Sequence, residues 1–457
     1  YIHIGGDECP KIRWEECPKC QARITRLGLK DDAHSTAEMK LQSWFVQEIE
    51  KFLATKGKKI IGWDEILEGG LAPSATVMSW RGEEGGIAAA NMGHDVIMCP
   101  AGWMYLDGYQ GDAKLLPVSI GGYRPLKHVY GYEPVPAAIA EDKRHHILGA
   151  QSNHWGEYNY STADTESDAW PRMMATAEIN WSAPERKNYA DFEHRLNNQR
   201  VRLDGHGVNY YIPLPEDVGA PSCNFVAFVD SAVMNLKTTE PVARIVYTTN
   251  GKTPTPKSTE WTGAQTFTRN TTLKLASVLP QGRMSDVRTI TLEKQTLAPA
   301  VEAAEKGIKA EYYKGMRRTV AELDGLTPDE TETVAVPHAS KYRVPDYREV
   351  YDQDFCSTVL TGFINIPEDG VYTFSTNDEL WIDGNWLISN EKDNHGTARK
   401  FSRSDRSVAL AKGAHPFKMV RMGAIFGGFP TQWEDMTIEI RRADALNFEL
   451  MDQKYFF

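Results

Sequence analysis

The chain has 457 residues, 41% hydrophobic and 25% charged, with a formal net charge of −11. That length gives room for about three globular domains, and the acidic balance excludes a broad nucleic-acid face. No apolar run approaches the ~20 residues of a membrane-spanning helix, and six cysteines are too few for a disulfide framework.

Residue 1 is Tyr, and no charged leader followed by an apolar stretch is present. We expect a processed or truncated start, so the missing leader carries no information on secretion. The first eight residues, Tyr1-Ile2-His3-Ile4-Gly5-Gly6-Asp7-Glu8, alternate apolar and polar positions and stop at a glycine pair. The pattern predicts a short buried strand ending in a turn. Two adjacent carboxylates follow, where α/β barrels keep their chemistry. Cys17-Pro18-Lys19-Cys20 is a lone CxxC with Cys9 nearby. A structural zinc site needs four ligands and no second CxxC exists, so free thiols are the default reading, ahead of a local disulfide and, last, a metal site.

Ser35-Thr36-Ala37-Glu38 reads as a capping box. Met39, Trp44, Phe45, Ile49, Phe52 and Leu53 then recur at roughly helical spacing until Gly57 closes the helix. Strands are expected at 59–63, 76–80, 95–99 and 146–151, with a short helix from Glu83 to Met92. Ser182-Ala183-Pro184-Glu185 reads as a second capping box opening a helix to about Leu203. Strand–helix–strand repetition predicts a parallel sheet with right-handed crossovers. Five strands fall short of the eight in a closed barrel. The fold class is therefore multidomain: a partial (β/α)8 TIM barrel (about strands 4–8) over residues 1–212, followed by two all-β sandwich domains.

Helix signals vanish after Pro213. Val242 to Thr249 runs into the turn dipeptide Asn250-Gly251, and Thr271 to Val278 alternates again. Residues 213–298 thus read as a small β-sandwich. Gln295 to Lys306 resembles a linker. Residues 299–457 read as a second all-β domain, with strands at 372–375, 380–382, 407–410 and 437–440.

The strand ends of the first domain carry carboxylates, aromatics or both: Asp7-Glu8, Trp63 with Asp64-Glu65, Trp80 with Arg81, Tyr105 with Asp107, and Trp155 with Glu157. Sugar faces stack on indole rings, and sugar hydroxyls donate to carboxylates. Singly, each has a plainer account: a lone tryptophan is usually core, and an acid pair is often a solvated turn. Their shared placement favours a carbohydrate pocket.

His3-Ile4-Gly5-Gly6-Asp7-Glu8 resembles the H-x-G-G-D-E signature of family 20 glycoside hydrolases, the β-N-acetylhexosaminidases. Gly62-Trp63-Asp64-Glu65, Ser79-Trp80-Arg81-Gly82, Tyr105-Leu106-Asp107 and Trp155-Gly156-Glu157 follow in that family's order. Residues 223–295 are similar to the β-domain often appended to these enzymes. Residues 307–442, with Asn377 to Gly384, resemble a PA14 domain, a frequent glycan-binding accessory.

The resemblance implies an exo-acting enzyme that uses the substrate's own acetamido oxygen as nucleophile. It makes Glu8 the acid and then the base, and Asp7 the partner of the acetamido N–H. Tyr105 would donate to the acetamido oxygen. Trp63 and Trp80 would wall the acetamido group, Trp155 would stack under the ring, and Asp107 and Glu157 would hold the O4 and O6 hydroxyls. Arg81 and His154 receive no role. Asp64-Glu65 is expected to support the site or cap a helix. No cofactor is called for. The expected partners are N-acetylhexosamine-terminated glycans, with the choice of GlcNAc, GalNAc or a sulfated sugar open. The resemblance places the protein in the periplasm or outside the cell.

The sequence departs from the family by omission. The family's sugar-gripping arginine on the first barrel strand has no counterpart here. Neither do the acidic and histidine residues of the next two strands, nor the usual N-terminal α/β domain. An incomplete barrel with an exposed edge, inactive alone, is the expectation. The alternative class is a carbohydrate-binding protein whose barrel serves only as a scaffold for the PA14-like domain. There Asp378 and Asp383 could ligate calcium, although the Asp383-Gly384 turn explains Asp383 equally well.

Overall fold

The computed structural model describes residues 1–304, 306–339, 341–342, 355–390, 404–426 and 429–457. The chain divides into two compact units, residues 1–110 with 122–211, and residues 111–121 with 212–457.

In the first unit the elements run β1 (Ile2–His3), α1 (Ile12–Glu16), α2 (Pro18–Leu27), α3 (Ala37–Ala54), β2 (Ile60–Trp63), β3 (Thr76–Ser79), α4 (Glu84–Asn91), β4 (Val96–Met98), α5 (Ala101–Met104), α6 (Leu126–Gly131), β5 (Ile147–Ala150), α7 (Thr162–Ala169), α8 (Arg172–Trp181) and α9 (Tyr189–Gly205). The five strands form one parallel sheet in sequence order, β1-β2-β3-β4-β5. Such a sheet has a face towards its crossover helices and a face away from them. Ile60, Val77, Val96 and Met98 pack with Val46 of α3, Ala89 and Ala90 of α4, Ala175 and Ile179 of α8 and Leu196 of α9. A separate cluster gathers Ile61, Met78 and Cys99 with Trp63, Trp80 and Ile97.

Several local expectations are corrected. The N-cap of α3 is Thr36, whose hydroxyl accepts from Met39 N at 3.2 Å. Ser35 instead accepts from Gly69 N, and Glu38 accepts from Gln21. The buried face of α3 is Leu41, Gln42, Ser43 and Val46, while Phe45 and Phe52 are exposed. Polar side chains win that face because they hold turns: Gln42 Nε2 donates to Gly6 O at 2.9 Å, and Ser43 bonds Gly70 O. The 182–185 stretch opens no long helix. Ser182 caps the end of α8, Pro184–Arg186 form one 3-10 turn, and α9 begins at Tyr189 with Asn188 as its side-chain N-cap.

The second unit is all β. Phe225–Phe228, Arg244–Thr248, Thr259–Glu260, Thr271–Val278 and Arg288–Lys294 form a five-stranded sheet over a core that includes Trp261, Leu273 and Leu292. A six-stranded sheet, centred on Cys356–Ile366 and Gly413–Arg421, faces a four-stranded sheet containing Gly370–Thr376 and Glu439–Arg442 across a core with Leu360, Phe374 and Met419. The strand expected at 437–440 is thus Glu439–Arg442. The linker-like stretch is bonded in place: Ala298 exchanges hydrogen bonds with Ala409 and Ala411, and Val301 N donates to Ala414 O.

Candidate active site

The site is the carboxyl end of the five-stranded sheet. The β1 ladder continues past His3, with Ile4 N on Ile61 O at 2.9 Å and Trp63 N on Gly5 O at 3.0 Å. Gly5 and Gly6 have φ of +69° and +105°, values that L side chains rarely adopt. A Cβ on Gly6 would also stand 2.6 Å from an Ile66 methyl. The turn therefore requires both glycines, and it delivers Asp7 and Glu8 exposed. Glu8 has φ of +40°. A non-glycine residue held there stores of order 1 kcal/mol of strain, as functional residues often do.

A chain of rings crosses this end. His3 meets Trp63 edge-on at 5.1 Å, Trp63 meets Trp155 at 5.9 Å, Trp155 meets Tyr105 at 5.7 Å, and Tyr105 stacks on Trp80 at 6.2 Å and 11°. All four predicted aromatics are thereby brought together. His3, given no role by the sequence reading, joins them. Its position as the last residue of β1, two before the glycine turn, was the available signal. Burial holds His3 below its usual pKa against the opposing pull of Asp7. The Tyr105 hydroxyl is pushed up, chiefly by burial, so it is a hydrogen-bond donor at neutral pH.

The second acid pair anchors the wall. Glu65 accepts from Trp80 Nε1 with both oxygens, at 2.9 and 3.1 Å. Asp64 accepts from Arg81 Nε at 2.8 Å, and Glu68 accepts from Arg81 NH1 at 2.8 Å. Arg81, unassigned from sequence, is thus a tie between the Trp80 strand end and the Asp64–Glu68 turn. Burial raises the Glu65 pKa despite the indole and Arg81.

Beyond β4 the pairing extends irregularly: Leu106 N donates to Asn153 O at 2.7 Å and Asn153 N to Met104 O at 2.9 Å. This brings the Tyr105–Asp107 segment beside Trp155 and Glu157. Asp107 is 6% exposed, and its Oδ1 has no hydrogen-bond partner among the described residues. Its pKa is raised by burial and by Glu157, while Arg124 and His154 pull it down. A buried acceptor without a donor carries a desolvation cost of about 1–3 kcal/mol, which a ligand hydroxyl would relieve. His154 Nε2 lies 3.2 Å from Asp168 Oδ2.

Arg172, absent from the sequence reading, holds this segment. Its side chain is fully buried and bonds the carbonyls of Leu106, Gly108, Arg124 and Asp168. Burial lowers its pKa to about 10, still charged at neutral pH.

Other expectations lie elsewhere. Asp378 is taken up by a bidentate pair with Arg421 at 2.7 and 2.8 Å, and Asp383 accepts from His415 Nδ1 at 2.9 Å. Among the described residues no cluster of three or more His, Cys, Asp or Glu could hold a metal ion. No helix among them is long and apolar enough to cross a membrane.

Carboxylates and stacked aromatic rings thus stand together at the carboxyl end of a parallel strand–helix sheet, the end where α/β barrels keep their chemistry. Residues 1–184 match the glycosyl hydrolase family 20 catalytic domain, residues 227–289 the chitobiase/beta-hexosaminidase C-terminal domain, and residues 305–446 the PA14 domain. The chain is similar to a beta-hexosaminidase of Porphyromonas gingivalis, with 46% identity over 466 residues covering 100% of this chain and 58% of that protein. A beta-hexosaminidase of Vibrio furnissii is 35% identical over 39% of this chain and 28% of its own length. Among solved structures, the GH20 exo beta-N-acetylglucosaminidase of Vibrio harveyi in complex with N-acetylglucosamine aligns with 32% identity over 46% of this chain and 32% of that one, at a TM-score of 0.41. The chain therefore spans 58% or less of the length of these relatives.

Proposed function

We propose that this chain carries the active-site strands of an exo-acting β-N-acetylhexosaminidase that removes terminal β-linked GlcNAc or GalNAc with retention. The observation that carries the reading is the unbroken ring chain His3–Trp63–Trp155–Tyr105–Trp80 at the same sheet end as the Asp7-Glu8 turn, with a buried Asp107 acceptor that has no hydrogen-bond partner among the described residues.

Each group then has a task its geometry suits. Exposed Glu8 protonates the leaving oxygen and later takes a proton from the attacking water. Asp7 accepts the acetamido N–H and stabilises the positive charge that grows as the acetamido oxygen closes on the anomeric carbon. The protonated Tyr105 hydroxyl orients that oxygen. Trp63 and Trp80 wall the acetamido group, and Trp155 stacks on the ring. Asp107 and Glu157 accept from the O4 and O6 hydroxyls, which limits attack to a chain end.

We assign the five strands to about the fourth to eighth of a (β/α)8 barrel. The sheet runs in parallel order without closing. Apolar side chains stand exposed at both edge strands, Ile2 on β1 and Leu148 on β5, which supports further strands covering them. Periplasmic or extracellular residence is the compartment this reading suggests.

The test is hydrolysis of a chromogenic N-acetyl-β-glucosaminide, together with binding of a thiazoline that mimics the oxazolinium ion. The chain by itself should not turn over, and a form with the barrel completed should. Asp7→Asn and Glu8→Gln should each lower kcat of the completed form by at least about a hundredfold. Failure of the completed form to bind the thiazoline would overturn the reading.

A further inference from the structure

The CxxC pair has no place in that mechanism. Cys17 is the N-cap residue of α2, with extended φ and ψ of −77° and 115°, and Pro18 begins the ten-residue helix. Cys20 lies on the first turn, three residues on, so both side chains belong to one side of it. Gln21 N donates to Cys17 O at 3.0 Å, closing the turn around the pair. The turn is pinned from outside: Gln21 Nε2 donates to Trp14 O at 3.0 Å and to Glu38 Oε1 of α3 at 2.9 Å. Both thiols are free and partly exposed.

The two sulfurs also answer each other. The backbone N–H of Cys20, then the Cys20 thiol and the N–H of Lys19, hold the Cys17 thiol below its ordinary pKa. The Cys20 thiol is raised because it donates to Cys17. The remaining half-exposed cysteine is Cys9. Cys99, Cys223 and Cys356 are buried, and burial pushes their thiols up to about 12, 11 and 11. A thiolate is the reactive form of cysteine, so reactivity concentrates at Cys17. A structural metal would need more donors than this pair supplies.

We propose that Cys17 and Cys20 are a redox-active dithiol that exchanges with small disulfides. Cys17 thiolate attacks one sulfur of oxidised glutathione, forming a mixed disulfide and releasing one glutathione thiolate. Cys20 then attacks the Cys17 sulfur, releasing the second. The pair ends as an intramolecular disulfide and the two glutathiones as thiols. Two electrons pass from the pair to the oxidant, and the two cysteine protons end on the two glutathiones. Oxidised, the pair clips the first turn of α2, the second helix after the Asp7-Glu8 turn.

The test equilibrates the full chain with glutathione buffers of graded ratio, quenches with acid, alkylates the remaining thiols and maps them by mass spectrometry. The expected result is reversible loss of two hydrogens from the Cys17–Cys20 peptide. In Cys20→Ser a glutathione adduct should accumulate on Cys17, and Cys17→Ser should slow the reaction at Cys20 by about tenfold or more. The buried cysteines of the folded chain stay unmodified and serve as the internal reference. The proposal fails if the folded chain keeps both thiols in fully oxidised glutathione, if Cys9 takes Cys17 or Cys20 as its partner, or if Cys20 proves the faster nucleophile. None of these readouts depends on glycosidase activity.

Discussion

Replacing Arg172 by Met tests whether one buried cation holds the Asp107 segment. The guanidinium bonds the carbonyls of Leu106, Gly108 and Arg124, which flank Asp107 in sequence or in space, and twice that of Asp168 on its own helical approach. Met fills similar volume but donates nothing. Three carbonyls of the segment left without this donor cost about 1–3 kcal/mol each. Against that, the variant no longer keeps a charge out of water, a burden evident in the lowered pKa of about 10 and worth several kcal/mol. The net expectation is a local loss of about 3–5 kcal/mol, since deleting one side of a buried charged network is costly. The assay is hydrogen exchange read by mass spectrometry on peptides covering residues 104–110 and 122–126. At 1.4 kcal/mol per decade, protection there should fall by about a hundredfold to a few thousandfold. Arg172→Lys, with three donors, should recover part of it. Unchanged exchange in both peptides of folded Arg172→Met would refute the reasoning. So would a loss spread evenly over all five strands, which would make Arg172 a general core residue.

Gly62→Ala places a Cβ 2.9 Å from Gly5 O and 3.0 Å from an Ile66 methyl; it should lower stability by about 1–3 kcal/mol in urea unfolding and displace the acid turn, and a neutral result would mean the turn is not clamped there. Glu65→Leu removes the acceptor of the Trp80 indole N–H and should weaken the near-ultraviolet dichroism of the ring cluster, whereas Glu65→Gln, which keeps an acceptor, should preserve it. In the second unit, His415 is buried with Nδ1 on Asp383 and Nε2 on Ala411 O. Burial opposes its charge, but these two bonds win and raise its pKa above 6.5. Folding therefore takes up a proton: the contribution is full below the unfolded value near 6.5 and is lost as pH rises through the folded one. Exchange protection of Gly413–Arg421 should decline with rising pH in that window once intrinsic exchange is corrected for, and His415→Gln should flatten the decline.

The strands were legible because each is a short apolar run, and β2 and β3, buried along nearly their whole length, show the near-continuous run that a covered parallel strand demands. The helices were less so. α7 is almost wholly polar, TADTESDA, and is set by Ser161 accepting from Asp164 N. The buried face of α3 could not be read from hydrophobicity, because Gln42 and Ser43 are inside for the sake of carbonyls 36 and 27 residues away. The site followed the same division. The aromatics that the sequence singled out at or beyond strand ends, Trp63, Trp80, Tyr105 and Trp155, lie in one chain of ring contacts. Arg172 was not singled out, since its partners are backbone atoms spread between residues 106 and 168, and nothing in a local window marks them.

The contact between Trp63 and Trp155 has an optical consequence. The two rings end β2 and follow β5, three strand intervals or roughly 14 Å apart across a parallel sheet, yet their centroids are 5.9 Å apart. Two such chromophores at that separation couple their electronic transitions, and the coupling depends steeply on distance and angle. The pair is thus a built-in gauge of how tightly the sheet is curled: any change that flattens or closes it alters the exciton signal before a single strand unpairs.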